Sequence, residues 1–512
     1  MSSSSSLPPE SKCSSIFGLR IMRLNNETRA FFFDVLFRAP LFISIMFLST
    51  VFLQFANKEA GCTKAGYDQL PGQTEEEADE AEIDCSGKAY GIRPSSVLTT
   101  LNSAAGIILA FLLPLIGSYV DHTDHRKACL CYSSVVFWVS NLIQAFANES
   151  SWFAMVIVQG VFSSTSYMIH QTTIFAYSTE ILEDNDRDLI LMNSSVRVWE
   201  LVTMLVFMIV VTAVGIIGGL DEVGKSSASQ SLACLASFFP FVLVWRNIGE
   251  RPALSKVPEG ASVLSAGFKK IGKTISMLTK NNPDVLSYLR ALLFFEAANG
   301  SIIFASTTLI TQQLKIADPS PILIVIIVIT VFGAGLCPLV NEKVGVKKGL
   351  ILIISLNCLA TLIVILFVNS PETKNGVWIV AFLYGIGIGA TYPMQRTFYM
   401  LIIPSGQETE MMGLLQFCSI VLGWAPSTIF TALNEHLNDL RVAMFAVLGF
   451  HLLGVLLLFP IDVERARKAA KATDHLRFKR GEPGDGMESG ESVELVEKGV
   501  KVGSSNNNAN VI

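Results

Sequence analysis

The chain has 512 residues, of which 51% are apolar and only 16% charged, with a mean hydropathy of +0.49. That balance argues against a soluble globular protein and is what a polytopic membrane protein requires. The formal net charge of −5 says little because acids and bases are segregated along the chain; the short basic clusters flank apolar runs and leave no nucleic-acid footprint.

Residues 1–34 carry a serine run and read as a cytosolic N-terminal tail, too polar for a signal peptide. Apolar runs near 35–56, 96–120, 128–147, 152–177, 194–218 and 229–246 follow. Each is close to the 17–25 residues that cross a bilayer. After a polar bridge at 247–284, six more lie near 285–310, 321–341, 349–368, 377–403, 413–433 and 441–461, and a polar tail occupies 462–512. The chain therefore reads as an all-α membrane protein, with twelve transmembrane helices in two pseudo-symmetric six-helix halves, 35–246 and 285–461. Arg126 and Lys127 between spans two and three, Lys269, Lys270 and Lys273 in the bridge, and Arg465 and Lys468 in the tail all fall on one side. The positive-inside rule makes that side, with both termini, cytosolic. The acidic loop 57–93 is then non-cytosolic. It holds Cys62 and Cys85, a candidate disulfide in an oxidising compartment. No Cys or His cluster has metal-ligand spacing, and no metal or cofactor is expected.

Within the bridge, Gly267-Phe-Lys-Lys-Ile-Gly272-Lys273-Thr274 matches the phosphate-binding loop pattern. That loop works only between a buried strand and a helix, and the insert is too short to supply an α/β domain. Leu264, Phe268, Ile271, Ile275 and Leu278 recur at helical spacing with lysines between them. The expectation is a basic amphipathic helix on the cytosolic membrane face, in contact with lipid. Gly385 and Gly389 in span ten are four apart and should let two helices approach closely.

Between spans two and three stands Gly117-Ser-Tyr-Val-Asp121-His-Thr-Asp-His-Arg126-Lys127. A glycine is expected to pack the helix end, an aspartate to cap the next turn and cations to sit at the membrane surface. A degenerate copy, Asn341-Glu-Lys-Val-Gly345-Val-Lys347-Lys348, lies between spans eight and nine. Here the chain resembles the major facilitator superfamily, whose signature loop has this form. Gln395-Arg396 through Pro404-Ser-Gly406-Gln-Glu408-Thr-Glu410, with Asn299-Gly300 and Tyr177-Ser-Thr-Glu180, resembles the branch of autophagy-related vacuolar amino-acid effluxers and their bacterial relatives. Phe33-Asp34 is similar to that branch's opening motif, but the residues that usually follow are absent, and Ser194-Ser-Val-Arg197 departs from its pattern.

Polar residues inside a span are costly and tend to be functional. Arg197 and Glu200 are three apart and can neutralise each other. Glu296 and Asn299 share that spacing, and Glu296 is a candidate proton carrier. His170 and Gln171 in span four, and Tyr392 and Gln395 in span ten, occupy equivalent places in the two halves and are candidate solute contacts; His170 alone reads better as a satisfied buried histidine. Asp121, Arg126, Lys127, Glu180, Arg187, Arg396, Glu408 and Glu410 are candidate gating charges, with Glu180 and Arg187 placed to face Arg396, Glu408 and Glu410 across the cytosolic mouth.

The expected function is secondary active transport of a small polar solute by alternating access. The resemblance implies amino acids and the vacuolar or lysosomal membrane, with the plasma membrane the alternative; proton coupling is expected from Glu296, and the protein is expected to be a monomer. No nucleophile–base set supports an enzyme. Two rivals are a non-transporting sensor or scaffold that docks partners through loop 57–93, and an exporter of amphipathic compounds.

Overall fold

A computed structural model describes residues 25–62, 87–181, 186–251, 263–316, 319–368, 370–403 and 408–470. Cys85 with most of the acidic loop, residues 404–407 and the tail beyond 470 lie outside the described residues.

The first helix, α1, runs Asn26–Ile43 and continues as Ile45–Glu59 after a kink at Ser44. It starts nine residues earlier than the apolar run that begins at residue 35, because Asn25 and Thr28 form a reciprocal capping box. There follow α2 (Val97–His122), α3 (Arg126–Gln144), α4 (Trp152–Ile157 through Ser164–Ile181), α5 (Asp186–Gly218) and α6 (Glu222–Asn247). A linker helix spans Val263–Asn281. The second half comprises α7 (Pro283–Thr308), α8 (Ser320–Val344), α9 (Val346–Phe367), α10 (Val377–Met400), α11 (Glu408–Val421 and Trp424–Leu437) and α12 (Leu440–Leu458). Eleven helices among the described residues are long and apolar enough to cross a membrane. The twelfth, α3, is more polar because Ser133, Ser134, Ser140, Asn141 and Gln144 are all buried in the bundle.

The halves repeat one packing scheme. As α1 lies on α6, so α7 lies on α12; as α3 touches α4 and α6, so α9 touches α10 and α12. The halves meet through α2 on α11 and, equivalently, α8 on α5. Glu27 near the start of α1 pairs with Arg251 after α6 (2.7 Å), and Asp284 at the start of α7 pairs with Arg465 after α12 (2.6 Å). The described chain ends therefore share one end of the bundle. At the opposite end a polar seam joins the halves. Arg93 donates its backbone N–H to Glu435 (2.6 Å), and Asn434 donates to Ser95 and Ser96 (2.6 and 2.8 Å). Deeper in, Thr99 meets Thr431 (2.7 Å) and Asn102 donates to Ser427 (2.7 Å).

The phosphate-loop pattern lies wholly inside the linker helix, so no such loop exists. The helix packs on α2 and α7 with Leu278 buried, and leaves Phe268 and Ile275 exposed beside Lys269 and Lys273. Its apolar residues thus serve two faces rather than one. Two signature-loop expectations also change. A Cβ on Gly117 would meet nothing, whereas one on Gly267 of the linker helix would strike the Pro114 carbonyl of α2. The glycine that permits close packing there is Gly267. Arg126 is fully buried with its guanidinium over Tyr177 (5.4 Å), not at the surface; Lys127 is half-buried.

The glycines of α10 do allow close approach. A Cβ on Gly385 would lie 2.7 Å from the Ile329 side chain of α8, and one on Gly389 would overlap the Thr330 carbonyl oxygen. Because that obstacle is backbone, Gly389→Val should separate α8 from α10 at a cost of about 1–3 kcal/mol. Thermal melting of the detergent-solubilised protein should show it, with Gly413→Ala, at an open position, as the unaffected control.

Candidate functional site

The first half is interrupted by a buried charged cluster. Asp34 and Arg38 are one turn apart on α1, and Arg38 Nε donates to Asp34 (2.9 Å). Its Nη1 donates to Glu200 of α5, whose other oxygen accepts from Arg197 (2.7 Å). Asp34 also meets His170 Nε2 of α4 (2.6 Å), and His170 Nδ1 meets the Ser134 hydroxyl of α3 (2.8 Å). Asp34, Arg38, His170 and Glu200 are each at most 2% exposed. The cluster sits between the apolar group around Phe31, Ile174 and Tyr177 and the one around Phe37, Phe137 and Met208. Two carboxylates against two arginines leave it neutral as a unit, which is the condition for keeping charge in a bundle core.

Among the residues singled out in the sequence, Arg197 and Glu200 do pair, and both ring nitrogens of His170 have partners. Gln171 is half-buried, next to His170 on α4. Sequence reasoning does not find Asp34 and Arg38 as site residues. The signal for them is an opposite-charge pair four apart, followed by an uninterrupted apolar run.

The second half carries amides where the first carries charges. Glu296 and Asn299 of α7 are joined (3.2 Å), and Asn299 Oδ1 is shared by His451 of α12 (3.1 Å) and Asn357 of α9 (3.4 Å). Gln395 of α10 is 2% exposed, and its Oε1 has no hydrogen-bond partner. Gln395, Arg197, Arg396 and Tyr288 also lie within electrostatic reach of Glu296.

Tyr392 of α10 stands between the clusters. Arg197 from the first half lies over its ring at 5.1 Å, and Arg396 from the second half at 4.4 Å. Arg396 also lies over Phe175 of α4, at 5.4 Å. Among the described residues Arg396 has ring contacts and no ion pair. The other gating candidates are placed by their helices alone. Asp121 is near the end of α2, Glu180 near the end of α4, Arg187 near the start of α5, and Glu408 and Glu410 at the start of α11; their side chains lie outside the described residues. Cys62 is disulfide-bonded, and Cys85 is outside the described residues.

The cluster's neutrality has a measurable consequence. Arg38→Met would leave Asp34 and Glu200 facing each other without their shared cation, at an expected cost of about 3–5 kcal/mol. Adding Glu200→Gln should recover part of the lost melting temperature, and a double variant no more stable than Arg38→Met would refute the shared-cation account.

The family described as "Vacuole effluxer Atg22 like" matches residues 37–179 and 179–471. Among curated proteins, Autophagy-related protein 22 of Pichia angusta is 26% identical over 183 residues, covering 34% of this chain and 32% of that protein. That of Vanderwaltozyma polyspora is 28% identical over 102 residues, 19% of each chain. The aligned region thus spans a third or less of these relatives. Solved structures share the fold at low identity. The xylose transporter XylE from E. coli, in an inward-open conformation, has a TM-score of 0.55 at 11% identity, covering 86% of this chain and 99% of its own. The peptide transporter POT in complex with sulfate has a TM-score of 0.58 at 11% identity, covering 87% and 96%. The human organic anion transporter MFSD10 has a TM-score of 0.55 at 12% identity, covering 85% and 99%. With the family match running over most of the twelve-helix bundle, the chain belongs to the family described as "Vacuole effluxer Atg22 like", and it is a multi-pass membrane protein that shares its fold with these solved structures.

Proposed function

We propose that the protein is a secondary active transporter that moves amino acids across the vacuolar membrane by alternating access, with both termini cytosolic. The observation that carries this reading is the polar layer between the halves, where Arg197, Tyr392 and Arg396 come from opposite repeats and stack together. Major facilitator sites lie at such interfaces, where rocking of the halves exposes them to either side. The seam from Arg93 to Ser427 joins the halves at the end away from the described chain ends, which under this reading is the non-cytosolic end. In the alternate state the seam parts, and Glu180, Arg187, Arg396, Glu408 and Glu410 close the cytosolic mouth.

Glu296 is the proposed proton carrier. A carboxylate at this depth without an ion pair is costly when ionised, and its neighbours are two amides, Tyr288 and two arginines, one arginine from each half. In proteoliposomes, uptake of a radiolabelled amino-acid mixture should be accelerated by an imposed pH gradient in the wild type. Glu296→Gln should lose that dependence while keeping exchange of solute at equal pH; an unchanged response to the gradient would dismiss Glu296 as the carrier. The seam has its own test. Glu435→Gln removes the acceptor charge shared by Arg93 and Lys88 (Lys88 at 2.9 Å). It should increase labelling of a cysteine placed at Thr99 by a membrane-impermeant thiol reagent added from the non-cytosolic side. Equal labelling in both backgrounds would remove these charges from the gate.

A further inference from the structure

We propose that Arg197 and Arg396, held on one Tyr392 ring, form a carboxylate-binding site, and that Glu296 receives the ammonium group of the same solute. This deepens the transport reading and rests on it. The starting point is charge. Asp34 and Glu200 are matched by Arg38 and Arg197 within the first half. Arg396 and Glu296 are the charges that remain, and no ion pair joins them: Arg396 is half-buried and, among the described residues, lies on the faces of Tyr392 and Phe175. A guanidinium inside a bundle with no anion paired to it is a costly arrangement. Aromatic faces relieve that cost only in part, by about 0.5–2 kcal/mol.

Geometry then selects the ligand. A guanidinium that lies over a ring keeps its N–H donors around its rim, free to meet a planar acceptor in a two-pronged contact. Arg197 commits one Nη to Glu200 and its side chain is 30% exposed, so it too retains donors. A carboxylate between the two rims would be shared by the N-terminal and C-terminal halves. Near the arginines lie Glu296 and Gln395, whose Oε1 is unpartnered, and both offer acceptors. Cationic donors next to acceptors describe a zwitterion, with the Tyr392 and Phe175 rings beside it. A neutral sugar would leave the arginines unmatched, and a dicarboxylate would put a second negative charge against Glu296.

The test is ligand-induced thermal stabilisation of the full-length purified protein, run beside uptake into proteoliposomes. The probes are L-leucine, L-phenylalanine and L-glutamine, with their α-amides and their deaminated acids. The expected result is stabilisation by at least one amino acid, with its amide about 10- to 100-fold weaker. Arg396→Gln should lower the acid to the level of the amide and leave the amide unchanged. Arg396→Lys keeps the charge but not the two-pronged geometry and should fall between, which preserves the comparison if Arg396→Gln does not fold. Amides that bind as tightly as acids overturn the site while uptake upholds the transport reading. Unchanged acid affinity in both Arg396→Gln and Arg197→Gln overturns it equally. Deaminated acids that bind as well as amino acids, and lose binding in Arg396→Gln, uphold the arginine pair and overturn the role of Glu296. If no probe stabilises the wild type, the arginine site is overturned, and uptake judges transport independently.

Discussion

The constraint on which the rest of the structure depends is charge neutrality at the ion pairs of Arg38. This guanidinium is buried on α1 and bridges Asp34 on its own helix to Glu200 on α5. A buried pair of this kind contributes little net stability compared with apolar packing, but leaving either partner alone is severely unfavourable. The cluster therefore fixes α1, α4 and α5 relative to one another, since none can shift without exposing an unmatched charge. His170, tied to both Asp34 and Ser134, extends the same constraint to α3. The first half is consequently tied together as a block, which is what the proposed rocking mechanism asks of it.

The second half reaches rigidity by another route. Its core is a single apolar cluster from Leu278 to Ala466, tightened where Gly385 and Gly389 admit close contact with α8. Its polar residues are amides and one imidazole gathered on Asn299. Amides satisfy one another without carrying charge. The two repeats share their helix packing and differ in whether their buried polar networks are built mainly from ion pairs or from amides.

The spans are legible in the sequence because each has to be apolar over bilayer length, and the signal is weakest in α3, where serines and amides turn inward. The close approach at Gly389 is legible from spacing alone. Pairing across distant helices is not. Arg38 looks like a flanking cation when the first span is read from residue 35 onward, and only the capping box at Asn25 shows that α1 begins about two turns before Asp34. Arg126 likewise reads as a surface anchor until Tyr177 is seen beneath it. Gly117 and Gly267 cannot be told apart as packing residues, because what matters is the neighbour brought against each one.

The seam at the end away from the described chain ends is built from polar contacts, which bears on the proposed alternating access. Its contacts are hydroxyls, amides and one cluster of ions around Glu435. Each hydrogen bond there is worth only about 0.5–1.5 kcal/mol net, because water replaces it when the halves separate. An apolar seam of the same length would lose about 25 cal/mol for every Å² exposed and would have no compensating partner in water. Polar side chains on α2 and α11 therefore join the halves without the cost that separating an apolar seam would carry, which is what the proposed alternating access, and a ligand that selects between its states, would require.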